Sequence, residues 1–155
     1  MKTRTILVFL LVIALGMTAC KSHKKNSGDT KSISGMTNDS IPSIKVDPNL
    51  EITADHDPFT IDTVTLSGDI LSITVSYSGG CKEHQFDLAF NGMYKKSMPV
   101  QAAIFLLHEN NGDACRALLT KTYRFNIKSI RNPANGPGTV ILTLQGWKER
   151  ITYTY

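Results

Sequence analysis

Apolar and polar residues alternate in short segments after residue 58, and this alternation constrains the fold more than any other feature of the sequence. One such segment places Leu71, Ile73, Val75 and Tyr77 on one face and serine or threonine on the other. A period of two residues is that of a β-strand with one buried face. The segment therefore predicts a half-buried strand, which ends at the glycine pair 79–80.

Six further segments have the length and composition of strands. They are 59–66, 85–90, 100–107, 123–128, 140–144 and 151–155. The segment 100–107 is apolar on both faces, as in a central strand of a sheet. We therefore predict an all-β fold, an immunoglobulin-like antiparallel β-sandwich of about seven strands with one short helix. A small open barrel is the alternative.

Two local signals refine these boundaries. Asn91-Gly92 follows the segment 85–90 and is a strong turn signal, so we expect the strand to end there. Asp113 precedes the stretch 114–119 and has the side chain of a helix N-cap. The sequence therefore places the short helix, of one or two turns, at 114–119.

The start of the chain has the pattern of an export signal. Lys2 and Arg4 precede the unbroken apolar run 6–15, and small residues then lead to Cys20. The run is shorter than the roughly 20 apolar residues that a membrane-spanning helix needs. The sequence Met17-Thr18-Ala19-Cys20 resembles the lipobox of bacterial lipoproteins. That resemblance implies cleavage before Cys20, a diacylglycerol thioether on its sulfur and acylation (palmitate or a similar chain) of the new amino terminus.

These patterns divide the chain into three parts. We predict a lipoprotein signal peptide at 1–19, a lipidated Cys20 with a disordered tether at 20–57, and the β-sandwich domain at 58–155. The tether is expected because this stretch is polar and its apolar residues have no period. Without the signal peptide the chain keeps 15 basic and 13 acidic residues, a net charge of +2. Such a weak charge does not suggest nucleic acid as a partner.

The remaining two cysteines are Cys81 and Cys115. In an exported protein such a pair normally forms a disulfide, which would bring two polar segments to one rim of the domain. A metal site is the alternative for these sulfurs, because Cys81, His84, His108 and Cys115 have the ligand types that zinc and copper prefer. The two interpretations exclude each other for the sulfurs.

The same rim carries a candidate site for a metal or a polar ligand. Its residues are His84, His108, Glu83, Glu109 and Asp113. Both histidines are in phase with the apolar faces of their segments. A structural role, with each ring hydrogen-bonded inside the domain, is therefore the other interpretation.

The sequence contains no enzyme motif that we recognise, so we expect a protein that is not an enzyme and that needs no cofactor. Near the carboxyl end, Trp147, Tyr153 and Tyr155 could form a stacking surface for a sugar or a peptide, although core packing is their usual role. We predict a lipid-anchored binding or structural module of the cell envelope. A metal-binding envelope protein and an envelope hydrolase are the alternatives.

The segments 77–84 and 111–115, together with the lipobox, resemble small uncharacterised lipoproteins of Bacteroidota. That resemblance implies a cell-envelope location, most simply the outer membrane. The basic stretch 21–25 stands where some of these lipoproteins carry an acidic surface-export signal, which favours the periplasmic face. The expected partners are the membrane, through the lipid, and an envelope protein, a glycan or a small ligand.

Overall fold

The computed structural model describes residues 40–50, 56–132 and 138–155. The predicted signal peptide, Cys20 and most of the predicted tether lie outside the described residues. The described strands are β1 (Lys45–Val46), β2 (Phe59–Ser67), β3 (Ile70–Gly79), β4 (Gln85–Lys95), β5 (Val100–Glu109), β6 (Ala117–Asn126), β7 (Thr139–Leu144) and β8 (Arg150–Thr154). A short 3₁₀ helix spans Lys128–Ile130. Within these ranges, no helix has the length and apolar character needed to cross a membrane.

The strands form two sheets, so the predicted all-β sandwich is confirmed and the barrel alternative is not. One sheet has the order β1-β4-β5-β7-β8 and the other the order β2-β3-β6. Most neighbouring strands are antiparallel, but β1 pairs with β4 and β5 pairs with β7 in parallel. The chain leaves β5, forms β6 in the other sheet and returns as β7, so the β5–β7 connection is a crossover that permits parallel pairing.

The core lies between the two sheets, where alternating side chains of both inner faces meet. Each of the largest inner side chains is at most 1% exposed: Leu71, Ile73, Val75, Phe125, Leu88, Phe90, Ile104, Leu142, Leu144 and Tyr153. In β2 the core-facing residues change from odd-numbered to even-numbered positions, because the register with β3 shifts between Ile61 and Thr63. A β-bulge of this kind returns Val64 and Leu66 to the core side after Ile61.

Two local expectations are wrong. Asn91-Gly92 does not end a strand, because β4 continues to Lys95 and absorbs these residues in an irregular stretch between Phe90 and Tyr94. The stretch 114–119 is not helical, because β6 starts at Ala117 and pairs with β3 along its whole length. In both places pairing with a neighbouring strand overrides a local turn or cap signal.

The sandwich begins before residue 58, the start expected from the sequence. Ile44 lies in the core at 4% exposure, and its amide N–H donates to the carbonyl of Asn126. β1 then pairs with β4, joining Lys45 to Ala89 and Val46 to Phe90. A single buried isoleucine carries no periodicity, which is why this segment resembled the tether in sequence.

Candidate functional site

The predicted rim forms at one end of the sandwich, which we call the disulfide end. It consists of the segment 80–84 between β3 and β4 and the segment 110–116 between β5 and β6. The expected disulfide is present in the structure: it joins Cys81 to Cys115, whose Cα atoms are 5.8 Å apart. The two segments are therefore joined covalently as well as by the strands that lead into them.

Asp113 is the centre of this end. Its Oδ2 accepts hydrogen bonds from the amide N–H groups of Gly80, Cys81 and Lys82 at 2.8, 2.9 and 3.0 Å. Its Oδ1 accepts the N–H of Cys115 at 2.8 Å. These backbone hydrogen bonds, those of Cys115 and Lys82 foremost, hold the pKa of the Asp113 carboxyl far below its usual value. Asp113 is therefore a carboxylate that binds both segments through their backbones.

The two histidines lie side by side inside the domain. The side chain of His84 is 1% exposed, and His108 as a whole is 5% exposed. His84 Nδ1 is 2.8 Å from His108 Nε2, and His84 Nε2 is 3.2 Å from Asp113 Oδ2. On its other side, His108 Nδ1 is 3.0 Å from the backbone oxygen of Asp57. Asp57, His108, His84 and Asp113 thus form one row of contacts, which we call the histidine row. All four ring nitrogens thus have a hydrogen-bonding partner.

The number of N–H protons on the two imidazole rings follows from the acceptors at the two ends of the row. The Asp57 carbonyl and the Asp113 carboxylate can only accept, so the three hydrogen bonds between them need three N–H protons. Two neutral imidazoles carry only two such protons. With all three contacts made as hydrogen bonds, the histidine pair holds three N–H protons and hence one positive charge, next to the Asp113 carboxylate.

Burial and ring packing distinguish the two histidines. Burial lowers the pKa of His108, and its ring stacks on Phe86 at a centroid distance of 4.2 Å. Burial thus disfavours the charged form of the His108 ring. The ring of His84 lies against Tyr77 at a centroid distance of 4.6 Å.

This arrangement does not fit a zinc or copper ion. Ligand atoms of Cys81, Asp113 and Cys115 lie within 4.8 Å of one another. Both sulfurs are nevertheless bonded to each other, and Asp113 already accepts four backbone N–H groups. His84 and His108 direct their nitrogens into the row described above rather than toward an open position. The sulfur and nitrogen atoms that the metal alternative needs as ligands are thus already engaged in the disulfide and in hydrogen bonds.

The structure divides the five predicted rim residues into two groups. It brings together His84, His108 and Asp113, while Glu83 and Glu109 are exposed. Glu83 joins the rim only through its backbone oxygen, which accepts a hydrogen bond from Asn111 Nδ2 at 2.8 Å. A cleft of about 210 Å³ lies beside His108, below the range of roughly 300–1,000 Å³ typical of small-molecule sites.

Sequence reasoning missed Asp57 and the central role of Asp113. Asp57 Oδ2 accepts the N–H of Asn110 at 2.6 Å, and its carbonyl holds His108. Asp57 precedes β2 at the end of the predicted tether, and nothing in its sequence surroundings distinguishes it. The sequence predicts Asp113 as a rim residue and as a helix cap. Its real partners are the three successive N–H groups 80–82, which only the folded chain brings near.

The three aromatic residues near the carboxyl end do not form a continuous open surface. Tyr153 is fully buried, and Trp147 and Tyr155 are partly buried against the core. The Tyr153 hydroxyl donates to Asp69 Oδ1 at 2.6 Å, and Arg131 donates two hydrogen bonds to the same carboxylate at 2.6 and 2.8 Å. Burial and this carboxylate raise the pKa of Tyr153 to about 12. This cluster fixes the turn before β3 to the end of β8.

No protein-family model and no curated protein matches the chain. Among solved structures, the chain is similar in fold to a NigD-like immunity protein from Bacteroides caccae, with a TM-score of 0.53 and 14% identity over 74% of this chain and 64% of that one. Weaker likenesses include a protein described as toxin-related from Parabacteroides distasonis (TM-score 0.47, 18% identity, 74% and 61% covered). Another is a protein of unknown function from Bacteroides vulgatus (TM-score 0.44, 20% identity, 74% and 56% covered).

The chain spans less than two thirds of the length of each of these proteins. At such low identity the likeness concerns the fold, and it agrees with the two-sheet architecture described above.

Proposed function

We propose that this chain is a lipid-anchored module of the bacterial cell envelope that binds a partner protein through the exposed loops of its disulfide end. The observation that carries the proposal is the closed row of hydrogen bonds from Asp57 to Asp113. Both histidines are buried and all their ring nitrogens have partners, so the rim positions loops and leaves none of its own histidines or thiols free for chemistry. A rigid framework that holds exposed loops is a common arrangement in binding proteins.

The loops themselves offer a surface of mixed charge. Lys82, Glu83, Asn111 and Arg116 are exposed. Lys82 Nζ donates to the carbonyl of Asn111 at 2.9 Å, and the Asn111 amide donates to Glu83, so the two loops form one connected surface. Side chains held in this way lose less conformational freedom on binding than free ones. These features support a protein partner better than a small ligand.

The anchor is tested by mass spectrometry of the protein from its native host. We expect an amino terminus at Cys20 that carries a diacylglycerol group and an acyl chain. An uncleaved or unlipidated chain would contradict the anchor.

Partner binding is tested by photo-crosslinking in the native cells. A photoreactive residue at position 83 or 116 is expected to trap the same protein. The same residue at Thr65, which is exposed on the three-stranded sheet, is the matched control. Equal trapping from all three positions would contradict the assigned surface.

The likeness in fold to a NigD-like immunity protein favours a second candidate, in which the partner is a toxin of a competing bacterium. A strain lacking the gene should then become sensitive to a competitor. The native gene should restore resistance, and a gene with Arg116→Glu should not. A deletion strain that resists every competitor to which it is exposed would remove this candidate.

A further inference from the structure

The end of the sandwich opposite the disulfide end exposes apolar side chains. Four large hydrophobic residues are exposed within the described ranges, and three of them lie on β1, on β4 or in the β4–β5 connection. Met98 is completely exposed, Met93 is 66% exposed and Val46 is 47% exposed. Val46 lies next to the irregular stretch of β4 that contains Met93, since a Cβ placed on Gly92 would be 3.8 Å from Val46 Cγ1. Exposed apolar residues grouped in this way mark contact surfaces more often than scattered ones do.

The same region carries unpaired positive charge. Lys95 and Lys96 are exposed and belong to none of the ion pairs among the described residues. The stretch 91–100 contains no acidic residue. Asp47, next to Val46, is the acidic group at the border of this surface, and its Oδ1 accepts the N–H of Asn49. We name Val46, Met93, Lys95, Lys96 and Met98 the hairpin surface.

The hairpin surface stands on ordered strands. The hydroxyl of Tyr94 donates to the carbonyl of Ile130 at 2.8 Å, which ties β4 to the 3₁₀ helix. Beyond it, Ser97 Oγ donates to the carbonyl of Pro99 at 2.7 Å inside the connection. Methionines and lysines held in this way can enter an interface without much further ordering of the backbone.

We propose that the hairpin surface docks on an anionic phospholipid membrane, with Met93 and Met98 at the boundary between headgroups and acyl chains and both lysines at the headgroups. Apolar side chains flanked by lysine are the combination that binds such interfaces. Each lysine near an anionic surface contributes roughly a five-fold gain in binding. This inference rests on the proposed envelope location but not on the lipid anchor.

Docking would orient the whole domain. β4 and β5 run between the hairpin surface and the disulfide end, because β4 starts at Gln85 beside the rim and ends at Lys95. A domain that lies on the membrane through the hairpin surface therefore directs Lys82, Glu83 and Arg116 away from it. The loops assigned to the partner are then accessible.

The test uses the mature chain with Cys20→Ser, which carries no lipid and contains the whole compact unit Asn38–Tyr155. Co-sedimentation with vesicles of phosphatidylglycerol and phosphatidylcholine is compared with pure phosphatidylcholine. We expect binding to the anionic vesicles only, weakened by salt. Replacing both lysines by glutamine should reduce binding roughly 30-fold, and Met93→Ser with Met98→Ser should reduce it about ten-fold or more.

The matched control is Leu118→Ser, which removes an apolar side chain of similar exposure (79%) from β6. It should bind like the parent chain, and thermal unfolding verifies that every variant is folded. Absence of vesicle binding, or an equal loss in the control, would overturn the proposal. Because lipid on Cys20 is measured separately by mass spectrometry, the experiments can reject the lipid anchor and the docking of the hairpin surface independently of each other.

Discussion

At the scale of single residues, the disulfide end depends on a few contacts that tolerate little change. Gly79 has no room for a side chain, because an added Cβ would overlap His84 Nε2 and lie 3.1 Å from Asp113 Oδ2. Asp113 accepts four backbone N–H groups, and the histidine row depends on its charge.

Gly79→Ala should destabilise the domain by about 1–3 kcal/mol, the usual cost of forcing an extra methyl group into a packed site. The new Cβ must displace the His84 ring, which is packed against the rings of both Tyr77 and His108. Urea unfolding measures the loss. Ser78→Ala, one residue earlier on the exposed side, is the control and should change stability by less than about 0.5 kcal/mol. A neutral Gly79→Ala would show that the ring is free to move.

Asp113→Asn should lower stability at pH 7 and flatten its fall in acid. The folded-state pKa of Asp113 lies below the value of 3.8 expected for the unfolded chain. The unfolded chain therefore binds this proton first as the pH falls. The stabilisation is complete above about pH 4 and is lost progressively below it. Thermal unfolding between pH 7 and 2 measures both effects, with Asp62→Asn as an exposed control. Parallel acid curves for the native chain and Asp113→Asn would contradict this role.

The proton count of the histidine row is directly measurable. Nitrogen-15 NMR of the imidazole rings near pH 7 should show three slowly exchanging N–H groups from His84 and His108 together. Slow exchange is expected because both rings are buried. His56 is exposed and serves as the internal reference for a ring that exchanges with solvent. Only two N–H groups from the buried pair would show that the pair is neutral.

At the scale of elements, the alternation of residues predicted the strands well because one face of each is buried. β3, β5 and β8 correspond closely to their predicted segments. The errors occurred where a partner strand decided the local structure. Asn91-Gly92 continues β4, and the stretch 114–119 enters β6. In both places the hydrogen bonds of a ladder outweigh a turn or cap preference of a few tenths to about 1 kcal/mol.

The segment 40–50 gives a test at this scale. Ile44→Ala should cost about 2–4 kcal/mol, because Ile44 is 4% exposed and belongs to the core. Val46→Ala, in the adjoining strand β1 but 47% exposed, is the matched control with an expected change below about 0.5 kcal/mol. Denaturant unfolding distinguishes the two. An Ile44→Ala variant as stable as the control would show that this segment does not contribute to the core.

At the scale of the whole molecule, the disulfide joins cysteines 34 positions apart and closes a loop that includes β4 and β5. Cys81→Ala with Cys115→Ala should reduce the free energy of unfolding by about 3.8 kcal/mol, from the chain-entropy model. Chemical unfolding of the variant against the oxidised parent measures it. The oxidised parent treated with a reductant is the second sample and should behave like the variant. A loss below about 1 kcal/mol would show that the hydrogen bonds of Asp113 and Asn111 suffice to hold the two segments.

The sequence by itself determined the strand composition, the central position of β5, the pairing of Cys81 with Cys115 and the candidate residues of the rim. Such features are visible because burial of one face imposes a period of two, and because few cysteines leave few choices. The tertiary structure alone decided which strands are neighbours, that β5 and β7 run in parallel, and that Ile44 belongs to the core. It also decided that Asp113 binds the amides of 80–82 and that both histidines face inward. These outcomes depend on contacts between residues about 30 or more positions apart, which no local pattern records.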